Sequence, residues 1–373
     1  MRKICYVVTV PGTIRAFFVS QLNYLNENGF DVTVICSSGN ELKELLDEKI
    51  RIITVDIPRG ISLLKTVNAI KRLYHIFKKY NFDIVQYSTS NATFCASIAA
   101  KYAKIKSRNY HLMGLRYLSV HGIGKKILKL VEKISCELST SIECVSKSNL
   151  ELGINDKIFK RNKAVVVWNG STGGVDLKRF DVDKRSEYRN EIRSNYGLHD
   201  DFIFGFVGRI TRDKGVNEIL EAFLQMETSK LMMIGSAEGT QTLNQELYRQ
   251  SLSNPNIIYT GKVPDVEKYF ATIDVLLLPS YREGFGNVII EAAAMGTPAI
   301  VSDIPGPIDA IQSGVTALVI ECQSVQSLIE KMNKIQLLDY VEMGRRASEF
   351  AKQKFDSELL CEKILERKKG LLG

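Results

Sequence analysis

The chain has 373 residues, of which 45% are hydrophobic and 25% charged, with a formal net charge of +8. That length argues against one small domain and for two, and the ordinary apolar and charged content excludes a disordered chain. No apolar run approaches the roughly 20 residues of a membrane-spanning helix, and seven scattered cysteines without a Cys-x-x-Cys pair speak for a reducing compartment and against a zinc site.

The opening Met1-Arg2-Lys3-Ile4-Cys5-Tyr6-Val7-Val8-Thr9-Val10 meets Pro11-Gly12 too soon for a signal peptide and reads as a first strand. Strand-like runs follow at 31–36, 51–55, 83–87, 108–113, 141–145 and 164–168. Helical patterns separate them, so the segment builds βαβ units.

Two of these helices are strongly basic. In 61–80, Leu63, Val67, Ile70, Tyr74 and Phe77 follow helical spacing, with Lys65, Lys71, Arg72, Lys78 and Lys79 off that stripe. In 122–138 the apolar set is Ile123, Ile127, Leu130, Val131 and Ile134, beside Lys125, Lys126, Lys129 and Lys133. Residues 1–170 hold 26 Lys and Arg against 13 Asp and Glu, whereas 171–373 hold 24 against 29. Either helix alone reads as a solvated face. Together, on so basic a domain, they point to docking on an anionic membrane surface through Lys71, Arg72, Lys78, Lys79, Lys125, Lys126 and Lys129. Each base near an anionic leaflet contributes about 1 kcal/mol.

A turn-rich stretch, Asn169-Gly170-Ser171-Thr172-Gly173-Gly174-Val175-Asp176, opens a seam near 169–200 that continues as a polar, charged segment to Asp201. Strand-like runs resume at 202–208, 230–235, 257–260, 274–278, 298–301 and 316–320. Several, such as Asp274-Val275-Leu276-Leu277-Leu278, are almost continuously apolar, as strands buried on both faces of a parallel sheet are. The expected fold is α/β, with two Rossmann-like, doubly wound parallel-sheet domains at 1–175 and 176–354. A C-terminal helix near 355–370 is expected to cross back to the first. In such sheets ligands bind at the strands' C-terminal ends.

Two segments of the second domain meet that description. Gly208-Arg209-Ile210-Thr211-Arg212-Asp213-Lys214-Gly215 joins a strand to a helix. Arg209, with a planar fork, and Lys214, a point charge, suit a diphosphate. Glu283-Gly284-Phe285-Gly286-Asn287-Val288-Ile289-Ile290-Glu291 is a glycine-rich turn running into an apolar helix. Such a helix start attracts an anion. Glu291, among Ile289, Ile290, Ala292, Ala293 and Ala294, needs hydrogen-bond partners wherever it is buried. Phosphate donors close to hydroxyl acceptors suit a nucleotide-sugar.

Together with Gly296-Thr297-Pro298-Ala299-Ile300-Val301-Ser302-Asp303, these motifs resemble the family-4 retaining glycosyltransferases of the GT-B fold, whose two domains face a central cleft. The resemblance spans the chain and is most specific over 204–320. It implies that Gly208, Arg209 and Lys214 hold the donor diphosphate, that Glu291 takes the ribose hydroxyls and that Glu283 contacts the transferred sugar. Backbone from Gly284 through Phe285, Gly286 and Asn287 to Val288 would approach sugar and phosphate. Arg108-Asn109-Tyr110-His111-Leu112-Met113-Gly114-Leu115-Arg116-Tyr117, Val145-Ser146-Lys147-Ser148 and Asn169-Gly170-Ser171 resemble the capsule and O-antigen branch. Acceptors there are sugars on a polyprenyl diphosphate at the cytoplasmic face of the membrane.

That implies a metal-independent hexosyltransferase without a cofactor, using a nucleoside diphosphate sugar (UDP by family habit) and attached peripherally to the inner face of the cell membrane. The loop Pro11-Gly12-Thr13 is expected near donor and acceptor, with Gly12 and Thr13 lining the cleft. Many family members carry a His or an acid near position 113, where this chain has Met113. His111, on the same strand face, is either the catalytic group or a packed histidine, and Arg116 is a candidate for a phosphate or acceptor hydroxyl. Three other readings are an epimerase of the same fold, a binding subunit with a decayed site, and a nucleic-acid-binding protein. The intact Arg209, Lys214, Glu283 and Glu291 argue against decay, and the basic helices lack the aromatic stripe of a nucleic-acid binder.

Overall fold

Strand and helix alternate throughout the computed structural model, which describes residues 1–60, 62–226 and 229–372. The chain divides into two compact units. Unit 1 is Met1–Gly173 plus the C-terminal segment from Ser357, and unit 2 is Gly174–Asp356.

In unit 1 the order is β1 (Arg2–Val7), α1 (Pro11–Phe17), α2 (Val19–Glu27), β2 (Phe30–Cys36), β3 (Arg51–Thr54), α3 (Leu63–Tyr80), β4 (Ile84–Tyr87), α4 (Ser90–Tyr102), β5 (Ser107–Leu112), α5 (Gly122–Leu138), β6 (Ser141–Cys144), α6 (Lys147–Asn155) and β7 (Ala164–Val166). All its strand pairings are parallel, in the order β3-β2-β1-β4-β5-β6-β7. Side chains alternate across the sheet. Cys5 and Val7 enter one core with Phe77, Val85, Tyr87 and Leu112, while Ile4 and Tyr6 enter another with Phe18, Leu22 and Phe30. Two cores on two faces make the sheet doubly wound.

Unit 2 runs through α7 (Arg185–Asn195), β8 (Phe202–Val207), α8 (Val216–Phe223), β9 (Ser229–Ile234), α9 (Gln245–Ser253), β10 (Ile257–Gly261), α10 (Val266–Thr272), β11 (Val275–Leu278), α11 (Asn287–Ala294), β12 (Ala299–Ser302), β13 (Ala317–Ile320), α12 (Val325–Gln336) and α13 (Tyr340–Phe355). Its sheet order is β10-β9-β8-β11-β12-β13, again all parallel. The chain ends in α14 (Ser357–Gly370), whose Leu365 joins the second core of unit 1.

Two local expectations are corrected. Pro11-Gly12-Thr13 is the first turn of α1 rather than a loop, because the φ of Pro11 is pre-set for a helix and its missing N–H costs nothing there. The polar stretch to Asp201 contains α7. Arg189 and Arg193 on it reach the buried Asp274 at 2.7 and 3.1 Å, and the Ile203 N–H donates to the same carboxylate at 2.8 Å. Arg185 donates to the carbonyl of Met295 and, at 2.7 Å, to the Thr297 hydroxyl. The charged pattern that marks a linker in sequence is therefore a set of arginines holding a helix onto its own domain. Among the described residues, no helix is long and apolar enough to cross a membrane.

Candidate functional site

Two loops meet in unit 2, one following β8 and one following its sheet neighbour β11. Gly215 decides how closely. Its φ is +73°, and a Cβ there would lie 2.1 Å from the carbonyl oxygen of Pro279, so only glycine allows the approach. The Tyr281 N–H donates to the Asp213 carbonyl at 3.0 Å, and the Tyr281 hydroxyl donates to Glu218 at 2.6 Å. At the centre the Lys214 ammonium lies 2.5 Å from Glu283 Oε1, which also accepts from the Ser280 hydroxyl at 2.9 Å. The third loop, after β12, closes on Glu283 and Gly284 through Gly306, where a Cβ would come within 2.9 Å of the Gly284 carbonyl oxygen.

Sequence reasoning marked Lys214 and Glu283 but not their pairing, nor Ser280, Asp213 or Tyr281. Asp213 gathers the local cations. Burial alone would raise its carboxyl, but the Thr211 hydroxyl together with Arg282, Arg209 and Lys214 outweighs this and holds it low. Arg209 is exposed; its carbonyl accepts from the Thr211 hydroxyl at 3.5 Å, and its guanidinium makes no hydrogen bond among the described residues. Gly208 precedes it with φ +153°.

Gly286 caps α11 in the left-handed region at φ +90°, so the positive end of the helix opens at Asn287 and Val288. The Phe285 ring is buried edge-on against Phe355, with 5.3 Å between centroids, and anchors the Gly-Phe-Gly turn. Glu291 lies one helical turn further on. It is only partly exposed, and burial pushes its carboxyl up to about 7, with Arg179 pulling the other way. No described residue hydrogen-bonds that carboxylate. The expectation of a buried Glu291 is thus corrected to a half-buried one, and the hydrogen-bond partners that its burial calls for do not come from the described residues, because those around it are aliphatic.

In unit 1, Gly12 is exposed at the start of α1, with open space around it, and Thr13 is half-buried. Arg116 is exposed, its Nη1 3.5 Å from Asn91 Oδ1. β5 ends at Leu112, so Met113 lies beyond the strand. His111 is 6% exposed, edge-on to Phe18 and 3.9 Å from Glu143. Burial lowers the imidazole pKa against the pull of Glu143. Glu143 is paired with the equally buried Lys368 of α14 at 2.6 Å. Burial alone would raise the Glu143 carboxyl, but Lys368 and His111 hold it low. These are the surroundings of a packed histidine.

The basic helices divide their cations. Lys71, Arg72, Lys78, Lys79, Lys125 and Lys126 are all exposed, and of these Arg72 reaches the Thr54 carbonyl at 3.4 Å and Lys79 lies over the Tyr80 ring. Lys129, expected among the membrane-facing cations, is partly exposed and lies 3.4 Å from Asp156 and over the ring of Tyr117.

Residues 188–354 match the family described as glycosyl transferases group 1, and residues 3–146 match that described as glycosyl transferase 4-like. The capsular polysaccharide biosynthesis glycosyltransferase CapM of Staphylococcus aureus is 30% identical over 97% of this chain and 96% of its own length. The Escherichia coli UDP-Gal:alpha-D-GlcNAc-diphosphoundecaprenol alpha-1,3-galactosyltransferase is 25% identical over 89% of this chain and 87% of its own. Among solved structures, a sucrose-phosphate synthase from Thermosynechococcus elongatus superposes with a TM-score of 0.82 at 19% identity, covering 99% of both chains.

Proposed function

This chain belongs to the glycosyl transferases of group 1, in the GT-B branch that serves capsule and O-antigen synthesis, and on that premise we propose that it moves a hexose or N-acetylhexosamine, with retention, from a UDP-sugar to a saccharide carried on a polyprenyl diphosphate. The Escherichia coli relative bears both a UDP-sugar and a diphosphoundecaprenol acceptor in its name, which supports this choice of donor and acceptor. The proposed setting is the cytoplasmic face of the cell membrane, with the basic unit 1 held at its anionic surface.

The observation that carries the reading is Glu291. It is a half-buried carboxylate with no hydrogen bond from the described residues, on a largely apolar helix that begins just after the Lys214–Glu283 pair. Ribose hydroxyls donating to it would supply the missing hydrogen bonds, each worth about 1.5–3 kcal/mol to a charged acceptor. Lys214 has three donors, and Glu283 takes one and fixes the direction of the others. In the proposed reaction the sugar–phosphate bond breaks and charge grows on the diphosphate. Arg209, Lys214 and the N-terminus of α11 meet that charge, the electrostatic route to rate, and the reading calls for no metal. The acceptor hydroxyl attacks from the leaving group's side, and a donor phosphate oxygen takes its proton. No enzyme nucleophile is needed, and the packed His111 has no part in the proton transfer.

A thermal-shift screen of nucleoside diphosphate sugars tests this, since a ligand bound only by the folded state raises Tm by mass action. One UDP-sugar is expected to stabilise the wild type and not an Arg209→Ala/Glu291→Ala variant. An equal shift in both would overturn the site.

A further inference from the structure

Ligands of a doubly wound sheet enter at the C-terminal ends of its strands, yet unit 1 has a cleft of about 700 Å³ at the opposite edge. The end of α5 and the segment Lys157–Lys163 border it. The first leads into β6 and the second into β7, so the cleft lies at the N-terminal ends of both strands. Its floor is apolar, from Ile154, Ile158 and Phe159. Its rim carries Lys133, Lys157, Lys160, Arg161 and Lys163, with Glu137 as the acid among the described lining residues. Two of these cations are engaged. Arg161 pairs with Glu151 at 2.5 Å, and Lys163 donates to the carbonyls of Cys136 and Glu137 at 3.2 and 3.0 Å. Burial lowers the pKa of the Lys163 ammonium, and Arg108 and Lys160 add to that against the pull of Cys136 and Glu137. Positive charge is thus in excess here. Lys133, Lys157 and Lys160 are exposed, and none has a carboxylate partner among the described residues. The backbone that presents them is fixed. The Phe159 ring packs on Gly153, where a Cβ would lie 2.3 Å from it, and the Ile158 N–H donates to the Gly153 carbonyl at 2.9 Å. Lys157 itself is left-handed at φ +58°, a helix-end position that glycine or asparagine ordinarily takes.

We propose that this cleft is a second nucleotide site, separate from the donor site: a nucleoside di- or triphosphate lays its base on the Ile154, Ile158 and Phe159 floor and its phosphates among Lys133, Lys157 and Lys160. The volume falls in the range of roughly 300–1,000 Å³ typical of pockets that enclose a small organic ligand. The two kinds of lining select the occupant. Inorganic phosphate would meet the lysines and leave the floor wet, whereas an uncharged ring would cover the floor and leave three ammonium groups unanswered. A lipid phosphate would meet the same cations, but its chain would outrun a cleft of this size. Ammonium groups are point charges, which suit a chain of phosphates without a fixed angle between them. The floor side chains carry no hydrogen-bonding groups, so the site is expected to accept purine and pyrimidine alike. The candidate donor residues all belong to unit 2 and this cleft to unit 1, so the inference stands or falls independently of the donor reading.

Calorimetric titration of the full chain with ATP, in about 0.1 M salt without divalent metal, tests this. One ATP per chain is expected to bind to the wild type and equally to the Arg209→Ala/Glu291→Ala variant. Lys157→Asn/Lys160→Ala is expected to weaken it about tenfold or more, having lost two charged contacts to phosphate. Asparagine keeps the left-handed backbone, so the melting midpoint of that variant should not move. GTP should bind within about threefold of ATP, and tripolyphosphate, which brings the charge without the base, about tenfold more weakly or worse. Four results would each overturn the proposal. They are no binding of ATP, binding abolished by Arg209→Ala/Glu291→Ala but kept in the lysine variant, tripolyphosphate as tight as ATP, or geranyl diphosphate tighter than ATP. The thermal shift of the lysine variant with a UDP-sugar is read alongside and bears on the donor site alone.

Discussion

Replacing Glu291 by Gln tests the donor site through two opposite effects. Burial raises the Glu291 carboxyl from its ordinary 4.5 to about 7. In the folded protein the ionised form is therefore disfavoured relative to the unfolded chain. At 1.36 kcal/mol per pH unit, the cost approaches roughly 3 kcal/mol above pH 7 and vanishes below pH 4.5. The sign follows from proton binding: between these values the folded state holds more protons than the unfolded one, so the Glu291 contribution to stability falls as pH rises. Gln keeps the size and carries no charge. The variant is expected to be more stable than wild type by about 1–3 kcal/mol at pH 8 and equal to it near pH 4.5, measured by urea unfolding at both values. For ligand binding the direction reverses. Hydroxyls donating to a carboxylate favour its ionised form, so wild-type affinity for the UDP-sugar should rise from pH 5.5 to 8 with proton release, seen by calorimetry in buffers of different ionisation enthalpy. The variant should bind about 10–100-fold more weakly at pH 8, having lost charge-assisted hydrogen bonds, and show no such rise. Equal stability at pH 8 together with unchanged affinity would refute both the burial argument and the ribose role.

Three further outcomes are expected. Arg209→Ala and Lys214→Ala should each cut sugar transfer by about 10²–10³-fold while leaving the melting midpoint nearly unchanged, and near-normal turnover in both would dismiss the diphosphate role. Gly215→Ala places a methyl against the Pro279 carbonyl in a left-handed residue. It should cost about 2–4 kcal/mol by urea unfolding, and should weaken UDP binding by shifting Lys214 away from Glu283. Lys368→Ala strands the Glu143 carboxylate in the core of unit 1 beneath α14. That should cost about 3–5 kcal/mol in urea unfolding, and Lys368→Met/Glu143→Leu should recover most of it, since an apolar pair replaces a buried ion pair at little loss.

The architecture was legible because its signals are local. Each strand expected along the chain is found within a few residues of its place, since apolar β-branched runs between helical patterns have few alternatives in a parallel sheet. Only the ends moved: β1 stops at Val7 and β5 at Leu112. The candidate donor residues stood out as motifs, but their contacts did not. The Lys214–Glu283 contact joins residues 69 apart in sequence, and no pattern in either segment announces it. The arginines of α7 misled for a related reason. Charge on a turn-flanked stretch looks like a solvated linker until Asp274, some eighty residues on, lies beneath it.

From the sequence alone came the two doubly wound sheets, the family resemblance, the basic first half and the glycine-rich turn ahead of α11, because periodicity, composition and backbone permissiveness belong to short stretches of chain. Tertiary structure decided which face of each helix is covered. The same stripe of Ile123, Ile127 and Leu130 would serve equally as core. It is exposed here because Tyr110 satisfies Glu132 on the other side, and that pairing exists only once β5 and α5 have packed. It likewise left the Glu291 carboxylate without a hydrogen bond from the described residues and walled His111 in beside Glu143 and Lys368, since burial and partnership depend on neighbours brought in from distant parts of the chain.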